Sequence, residues 1–368
     1  MSRRQLNYRI FSLLIFCLSI AYSPLARAQK HSTHGEVAQE DLAQNDGGHH
    51  EADAKAFNAG EMILDHIKDS YDWHIMDIGG HSVSVPLPVV LYSPELGFDF
   101  FLSSKFEHGH AEYKGYELVH GHVVRADGVS FFDISITKNV VALFISVILL
   151  MVIFISIANR YKKNDGKAPK GLQSLLEPMI IFVRDEIAKP NLGHRYGKYL
   201  PFLLTIFFFI LINNLMGLIP FFPFGANLTG NIAVTLVLAG FTFIITMFST
   251  NKHFWIHIFN TPGVPWWLKF PIPLMPVVEL MGVISKPIVL TLRLFANITA
   301  GHIIILAFFS LIFIFSQMNL GLGYGVSIFS IAFSIFMNFM ELLVAFLQAY
   351  VFTLLSAIYF GMAAEEHH

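Results

Sequence analysis

The sequence predicts an all-α polytopic membrane protein with about five membrane crossings, two of them on long tilted helices, and a small β-rich extracytoplasmic region on the N-terminal side. Three observations predict it. Hydrophobic residues make up 54% of the 368 residues and charged residues only 14%, a balance far more apolar than that of a soluble domain. From residue 138 onward, apolar runs long enough to cross a bilayer follow one another. Lys and Arg concentrate in alternate connecting loops, the asymmetry that orients a membrane protein.

Composition also excludes several function classes. A formal net charge of -2 offers none of the basic excess that nucleic-acid binding requires, so nucleic acid is not expected as a partner. The one cysteine, Cys17, lies in the leading apolar run, which leaves the mature chain no disulfide, zinc-thiolate cluster or cysteine nucleophile. A Walker motif is missing, so nucleotide chemistry is not expected on this chain. No cofactor is expected.

The first element reads as a leader. Arg3, Arg4 and Arg9 flank a short apolar core from Ile10 to Ile20, and Ala26-Arg27-Ala28 supplies a small-x-small pattern ahead of Gln29. Residues 1–28 are therefore read as a cleaved signal peptide, in preference to an anchor helix for which the apolar core is short. Gln29 then begins outside the cytoplasm.

Residues 29–137 form a polar, periplasmic region that holds 11 of the chain's 17 histidines. Its first part, to about residue 55, is rich in Gln, His, Gly and Asp and reads as disordered. Residues 59–68 suit a short helix, and the runs VSVPLPVVLY (83–92) and YELVHGHVVR (116–125) suit strands. His108/His110 and His120/His122 have the i, i+2 spacing that puts two rings on one strand face, a possible transition-metal arrangement. Solvated surface histidines are the commoner outcome, and no metal site is assigned.

The membrane domain occupies 138–368. Its spans are expected at 140–158, 199–219 and 231–250, and the whole interval 199–251 contains no Asp, Glu, Lys or Arg. After the connector TPGVPWWLKFPIP (261–273) come two longer stretches, 275–315 and 324–360, each exceeding one perpendicular span and so required to tilt or bend. The loop 159–198 carries nine Lys/Arg and the connector 251–271 carries Lys252 and Lys269, whereas loops 220–230 and 316–323 carry none. The basic loops are thus assigned to the cytoplasm, giving a periplasmic N-terminus and a cytoplasmic C-terminus in a bacterial inner membrane. The leader predicts the same orientation independently.

Four formally charged residues interrupt the apolar interval 272–360: Glu279, Lys286, Arg293 and Glu341. Insertion scales place a central Arg, Lys or Asp at about +2.5 to +3.5 kcal/mol, so each must face a cavity, another polar group or a partner. Glu279, Lys286 and Arg293 recur every seven residues and Asn297 follows four later, which draws one polar stripe along a helix. Asn338, Glu341 and Gln348 repeat the pattern on the last helix. Amides alone would serve as helix-to-helix glue; an arginine at membrane depth asks for charge movement. Lys286 can snorkel toward the cytoplasmic interface and pair with Glu279, leaving an entrance or structural role and direct conduction both open. His302 and Glu341 combine an imidazole, the side-chain type that changes charge around neutral pH, with a carboxylate, a pairing suited to proton relay.

The run KPIVLTLRLFANITAGH (286–302), the run ELLVAFLQAYVFTLLSAIYF (341–360) and the element LINNLMGLIP (211–220) together resemble the ATP synthase a-subunit family over about residues 130–368. The resemblance implies that Arg293 is the stator arginine, that Gln348 lies beside it on the last helix, and that Asn297, His302 and Glu341 belong to the proton half-channels. Asn214 matches the asparagine of the third motif. Many family members carry Glu at the position of His302 and His at that of Glu341, so the pair is exchanged here; Gly217 stands where some members have an acid. The implied function is that of the proton-translocating stator subunit of the F0 sector, without a catalytic site of its own. The implied partners are the c-subunit ring, the b-subunit stalk, the F1 catalytic sector and the lipid bilayer. A secondary ion antiporter is the alternative, but it predicts inverted repeats and no internal symmetry is apparent.

Overall fold

The structure is a computed structural model that describes residues 59–364 apart from 79–80, 110, 120, 126, 164–167, 220–223, 251–253, 256–257 and 259–273. The leader expected at 1–28 and the polar stretch to residue 55 lie outside the described residues, as does the tryptophan-rich connector 261–273.

A small β-rich domain comes first, opened by helix α1 (Ala59–Ile67). Strands β1 (Asp72–Ile78) and β2 (His81–Pro86) form an antiparallel pair, and β3 (Pro88–Ser93) lies between β4 (Gly97–Leu102) and β7 (Phe132–Asp133) in an antiparallel three-stranded sheet. Strands β5 (Tyr116–Val119) and β6 (His122–Arg125) make a further hairpin. Each expected strand is therefore two. The run 83–92 divides at Leu87, between Pro86 and Pro88, whose imino nitrogens cannot serve a continuous ladder. The run 116–125 folds back at Gly121, whose φ of +80° suits a tight hairpin turn. Alternation along β3 and β4 sends Val89, Leu91 and Phe101 to one face, where they meet Phe106, Tyr116 and Val123 in a buried core.

Besides α1, which packs against the long helix Leu274–Met318, two features join this domain to the membrane helices. Asp69 Oδ1 accepts from the backbone N–H of Asn139 at 3.0 Å and of Ser70 at 3.1 Å, capping the start of helix α2 (Lys138–Lys163). Trp73, buried, packs with Ala142 of α2 and Ala226 of the loop that follows α5.

The region expected as a basic cytoplasmic loop is largely helical. Helix α3 (Leu172–Phe182), a π-helical turn (Val183–Ala188), the short α4 (Lys189–Leu192) and α5 (Tyr196–Leu218) follow almost without interruption. Helices α6 (Ile232–Phe248), α7 (Leu274–Met318) and α8 (Leu320–Ala364) complete the chain. Among the described residues four helical segments are long and apolar enough to cross a membrane: 138–163, 172–218, 275–318 and 320–364. Helix α6, with 17 residues, spans only about 26 Å at 1.5 Å per residue, short of a ~30 Å hydrocarbon core. Helices α7 and α8 have 45 residues each, roughly 67 Å, so neither can stand upright in a bilayer.

Helix α5 is the centre. Phe207, Phe208, Phe209 and Ile210 are consecutive and all buried, which a helix shows only when neighbours surround it. Helix α8 packs on α5 through Ala349, Phe352, Ala357 and Phe360, α2 lies against α5, and α6 lies against α7. The outer helices expose apolar stripes instead, as with Phe144, Ile148, Val152 and Ile155 of α2. Helices α7 and α8 form a long antiparallel hairpin turning at Asn319, tight enough that a Cβ on Gly323 would come within 2.9 Å of Ser316 Cα.

Candidate functional site

The α7–α8 hairpin brings His302 and Glu341 together. His302 Nδ1 lies 3.2 Å from Glu341 Oε1, an ion pair whenever the imidazole is protonated. The approach depends on Gly301: a Cβ there would overlap the Glu341 carboxylate, so the residue beside the histidine must be glycine for the acid to enter this position. Glu341 is buried and His302 half-buried, and both line a small cavity.

Four amides from three elements share its wall with apolar side chains such as Leu218, Ile298 and Val344. Asn213 and Asn214 come from α5, Asn227 from the loop after it, and Asn297 from α7. Asn214 is a brace: its Nδ2 donates to Ala345 O of α8 at 3.3 Å and its Oδ1 accepts from Thr229 Oγ1 at 2.6 Å. Asn213 Nδ2 donates to Phe209 O at 2.7 Å. Asn227 Oδ1 accepts from Gly230 N at 2.9 Å, while its buried Nδ2 has no partner among the described residues. Gly217 also lines the cavity, and a Cβ added to it would stand 3.8 Å from His302 Nε2. The missing side chain at 217 thus leaves the second ring nitrogen facing open space.

On α8, Ser330 and Ser334 share the Glu341 face, at spacings of four and seven residues. Their hydroxyls are buried without a hydrogen-bond partner among the described residues. Ser310 of α7 is buried as well, its hydroxyl donating to Ala307 O of its own helix at 2.8 Å.

Arg293 sits elsewhere. Leu290, Leu294 and Ile298 are the buried face of α7 there, and Arg293 and Asn297 are exposed. Among the described residues Arg293 makes no hydrogen bond or ion pair. Gln348, expected to oppose it, is buried at 7% exposure and makes no hydrogen bond with it among the described residues. The two polar stripes therefore meet at His302 and Glu341 but not at Arg293, whose side chain leaves the chain's own packing.

The N-terminal half of the α7 stripe is also different from expectation. Lys286 Nζ lies over the Tyr359 ring, 5.2 Å from its centroid, in place of a salt bridge to Glu279. Seven helical residues separate the two along the axis by roughly 10 Å, which a cation–π contact with the neighbouring helix does not have to bridge. Lys286 and Tyr359 line a second small cavity with Thr242 and Thr246 of α6. Tyr359, Asn213, Asn227 and the two threonines were not singled out from sequence; their signal was the presence of polar groups within otherwise apolar runs. Of the histidine pairs in the β-rich domain, His110 and His120 lie outside the described residues, and His122 is exposed on β6.

Comparison with known proteins bears on both halves. Residues 140–361 match the family described as ATP synthase A chain, and residues 62–140 match a domain of unknown function, DUF8433. The chain is 43% identical over 265 residues to ATP synthase subunit a of Chloroherpeton thalassium, covering 70% of this chain and 74% of that one. It is 48% identical over 241 residues to ATP synthase subunit a 2 of Chlorobaculum tepidum, covering 64% and 65%. With ATP synthase subunit a of Myxococcus xanthus the identity is 41% over 244 residues, covering 64% and 75%.

Proposed function

The chain belongs to the ATP synthase A chain family, and from that membership we propose that it carries protons between two half-channels and the c-ring carboxylates along the residues named above. The chain is a multi-pass membrane subunit of the H⁺-transporting ATP synthase, the proton-channel stator of F0, and is not itself catalytic. The observation that carries the residue assignment is the His302–Glu341 pair in an amide-lined cavity on the same helix that presents Arg293 outward.

The chemistry follows from those positions. A carboxylate on a rotating partner is neutral while it faces hydrocarbon, because desolvation disfavours its charge. Beside Arg293 the ionised form is favoured, so the carboxyl releases its proton before passing and takes another afterwards. The exposed guanidinium, without a hydrogen bond or ion pair among the described residues, is placed to meet a group on a partner. It also opposes the passage of a bare proton from one half-channel to the other, since like charges repel strongly where the dielectric is low. The His302–Glu341 cavity serves as the outward half-channel, with the unpartnered hydroxyls of Ser334 and Ser330 supporting a route from Glu341 toward the outer end of α8. Asn214 braces its wall, while Asn297 and Gln348 line the approach to the ring. The second cavity, with Lys286 and Tyr359, serves as the inward path, and Glu279 stands nearer the cytoplasmic end of α7. Each proton crossing 100 mV supplies about 2.3 kcal/mol to rotation.

The remaining partners are the b-subunit stalk and the F1 sector, and the setting is a bacterial inner membrane with five crossings, α6 included. The mature N-terminus and the β-rich domain lie in the periplasm and the C-terminus in the cytoplasm, as the loop charges require. Proton-driven ATP synthesis in vesicles tests the core of this assignment. Arg293→Ala abolishes it while the assembled complex is retained; synthesis at the unaltered rate would overturn the reading.

A further inference from the structure

The three-stranded sheet of the outer domain has two unlike faces. One carries Val89, Leu91 and Phe101 into the core. On the other, the register pairs Val90 with Phe100, Tyr92 with both Phe98 and Phe132, and Pro88 with Leu102. Alternation therefore places these side chains together, and none of them is charged. Phe98, Phe100 and Phe132 are 72%, 69% and 64% exposed. Three adjacent phenylalanines left bare make an apolar patch of the kind that marks an interaction surface, and no other described element covers it.

The patch continues toward the bilayer. Beyond β7 the backbone keeps its pairing with β3, since Ile134 N donates to Val90 O and Ile136 N to Pro88 O. Ile134 and Ile136 thus extend the Phe132 row on the same face, and helix α2 starts two residues later, at Lys138. From Phe132 to that helix is at most about 22 Å of chain. The polar stretch 29–58 is a poor cover, for its only large apolar side chains are Val37, Leu42 and Phe57. A membrane surface is the one occupant that every copy of the chain meets at this place.

We infer that the bare sheet face, formed by Phe98, Phe100, Leu102 and Phe132, rests in the outer leaflet at the boundary between headgroups and acyl chains. The aromatic rings supply apolar area at the depth where ring side chains are favoured, while the opposite face carries the domain's core and the β5–β6 hairpin on top. The domain is thereby a membrane-surface clamp at the outer end of α2, independent of the proton path itself though dependent on the outward placement of the domain.

Nitroxide accessibility in the assembled complex tests this. In a Cys17→Ser background, labels are placed through Phe100→Cys and, separately, Phe132→Cys, with Glu117→Cys as the control on exposed β5. The complexes are reconstituted into vesicles of phosphatidylethanolamine and phosphatidylglycerol and checked for ATP-driven pumping. At 100 and 132 dissolved oxygen relaxes the label more than a water-soluble nickel chelate does, and at 117 the order reverses. A solvent-like response at 100 and 132 overturns the inference, as does protection from both reagents, which would signify a protein partner. Retained pumping with either of those results sinks the membrane clamp and leaves the proton-path reading standing.

Discussion

At the scale of single residues, the decisive contact is His302 with Glu341. Sequence alone pairs an imidazole with an acid on two helices; the 3.2 Å approach and the glycine at 301 that permits it are properties of the packed hairpin. Because the two side chains face each other across one cavity, their chemistry is interchangeable in a way that neither has alone. The double variant His302→Glu with Glu341→His accordingly retains more ATP-driven proton pumping than either single variant, measured in inverted vesicles. A double variant no better than the worse single one would remove the coupling.

Asp69 is the second residue with a specific role. Its carboxylate caps α2, yet burial raises its pKa above the ordinary Asp value, the largest influence on it, against the lowering effect of its hydrogen bonds. A raised folded-state pKa means that the unfolded chain gives up this proton more readily. The group therefore contributes most stability below its unfolded pKa, and the contribution is lost as pH rises through the folded value. Asp69→Asn, which keeps the acceptor without the charge, leaves thermal stability at neutral pH unchanged or higher. Asp69→Ala lowers it by about 1 kcal/mol, the usual worth of a cap, and a thermal-shift comparison of the two variants separates charge from capping.

Among elements, α7 and α8 carry the most information and were the most legible. Their polar residues at spacings of three, four and seven within long apolar runs declare helices with a functional face. Less legible was the stretch 172–192, where nine basic residues in 159–198 suggested a loop; its buried Val183 and Ile187 dock against the bundle and make it helical. The outer strands were visible but not their breaks, because Pro86, Pro88 and Gly121 act through backbone geometry, which a hydrophobic pattern does not record. Of Arg293 and Gln348 the first is exposed and the second buried: equal spacing on two helices says that stripes exist, while the rotation of each helix decides which members meet.

For the whole molecule, orientation is the open variable with the clearest test. Helix α6 is shorter than a full crossing, yet the sign pattern of the loops needs it to traverse the membrane. Introducing cysteines in the Cys17→Ser background at Lys162, Gly225, Lys252 and Gln317, one at a time, and labelling intact cells with an impermeant maleimide resolves it. Positions 225 and 317 label from outside, and 162 and 252 do not; labelling of 225 and 252 from the same side would show that α6 does not cross.

By itself the sequence determined that this chain lives in a bilayer, that its charges at membrane depth lie on two helix stripes, and that its motifs are those of the ATP synthase a-subunit family. Those properties are one-dimensional: hydropathy, period and residue order. Only the tertiary structure decided that His302 and Glu341 meet at a cavity that four amides also line, that Lys286 turns to Tyr359, and that Arg293 is left exposed. Each depends on how far one helix is rotated and tilted against the next, which is set by the packing of Leu290, Leu294, Ala345 and Ala349 between neighbours and not by any local preference of the polar residue itself.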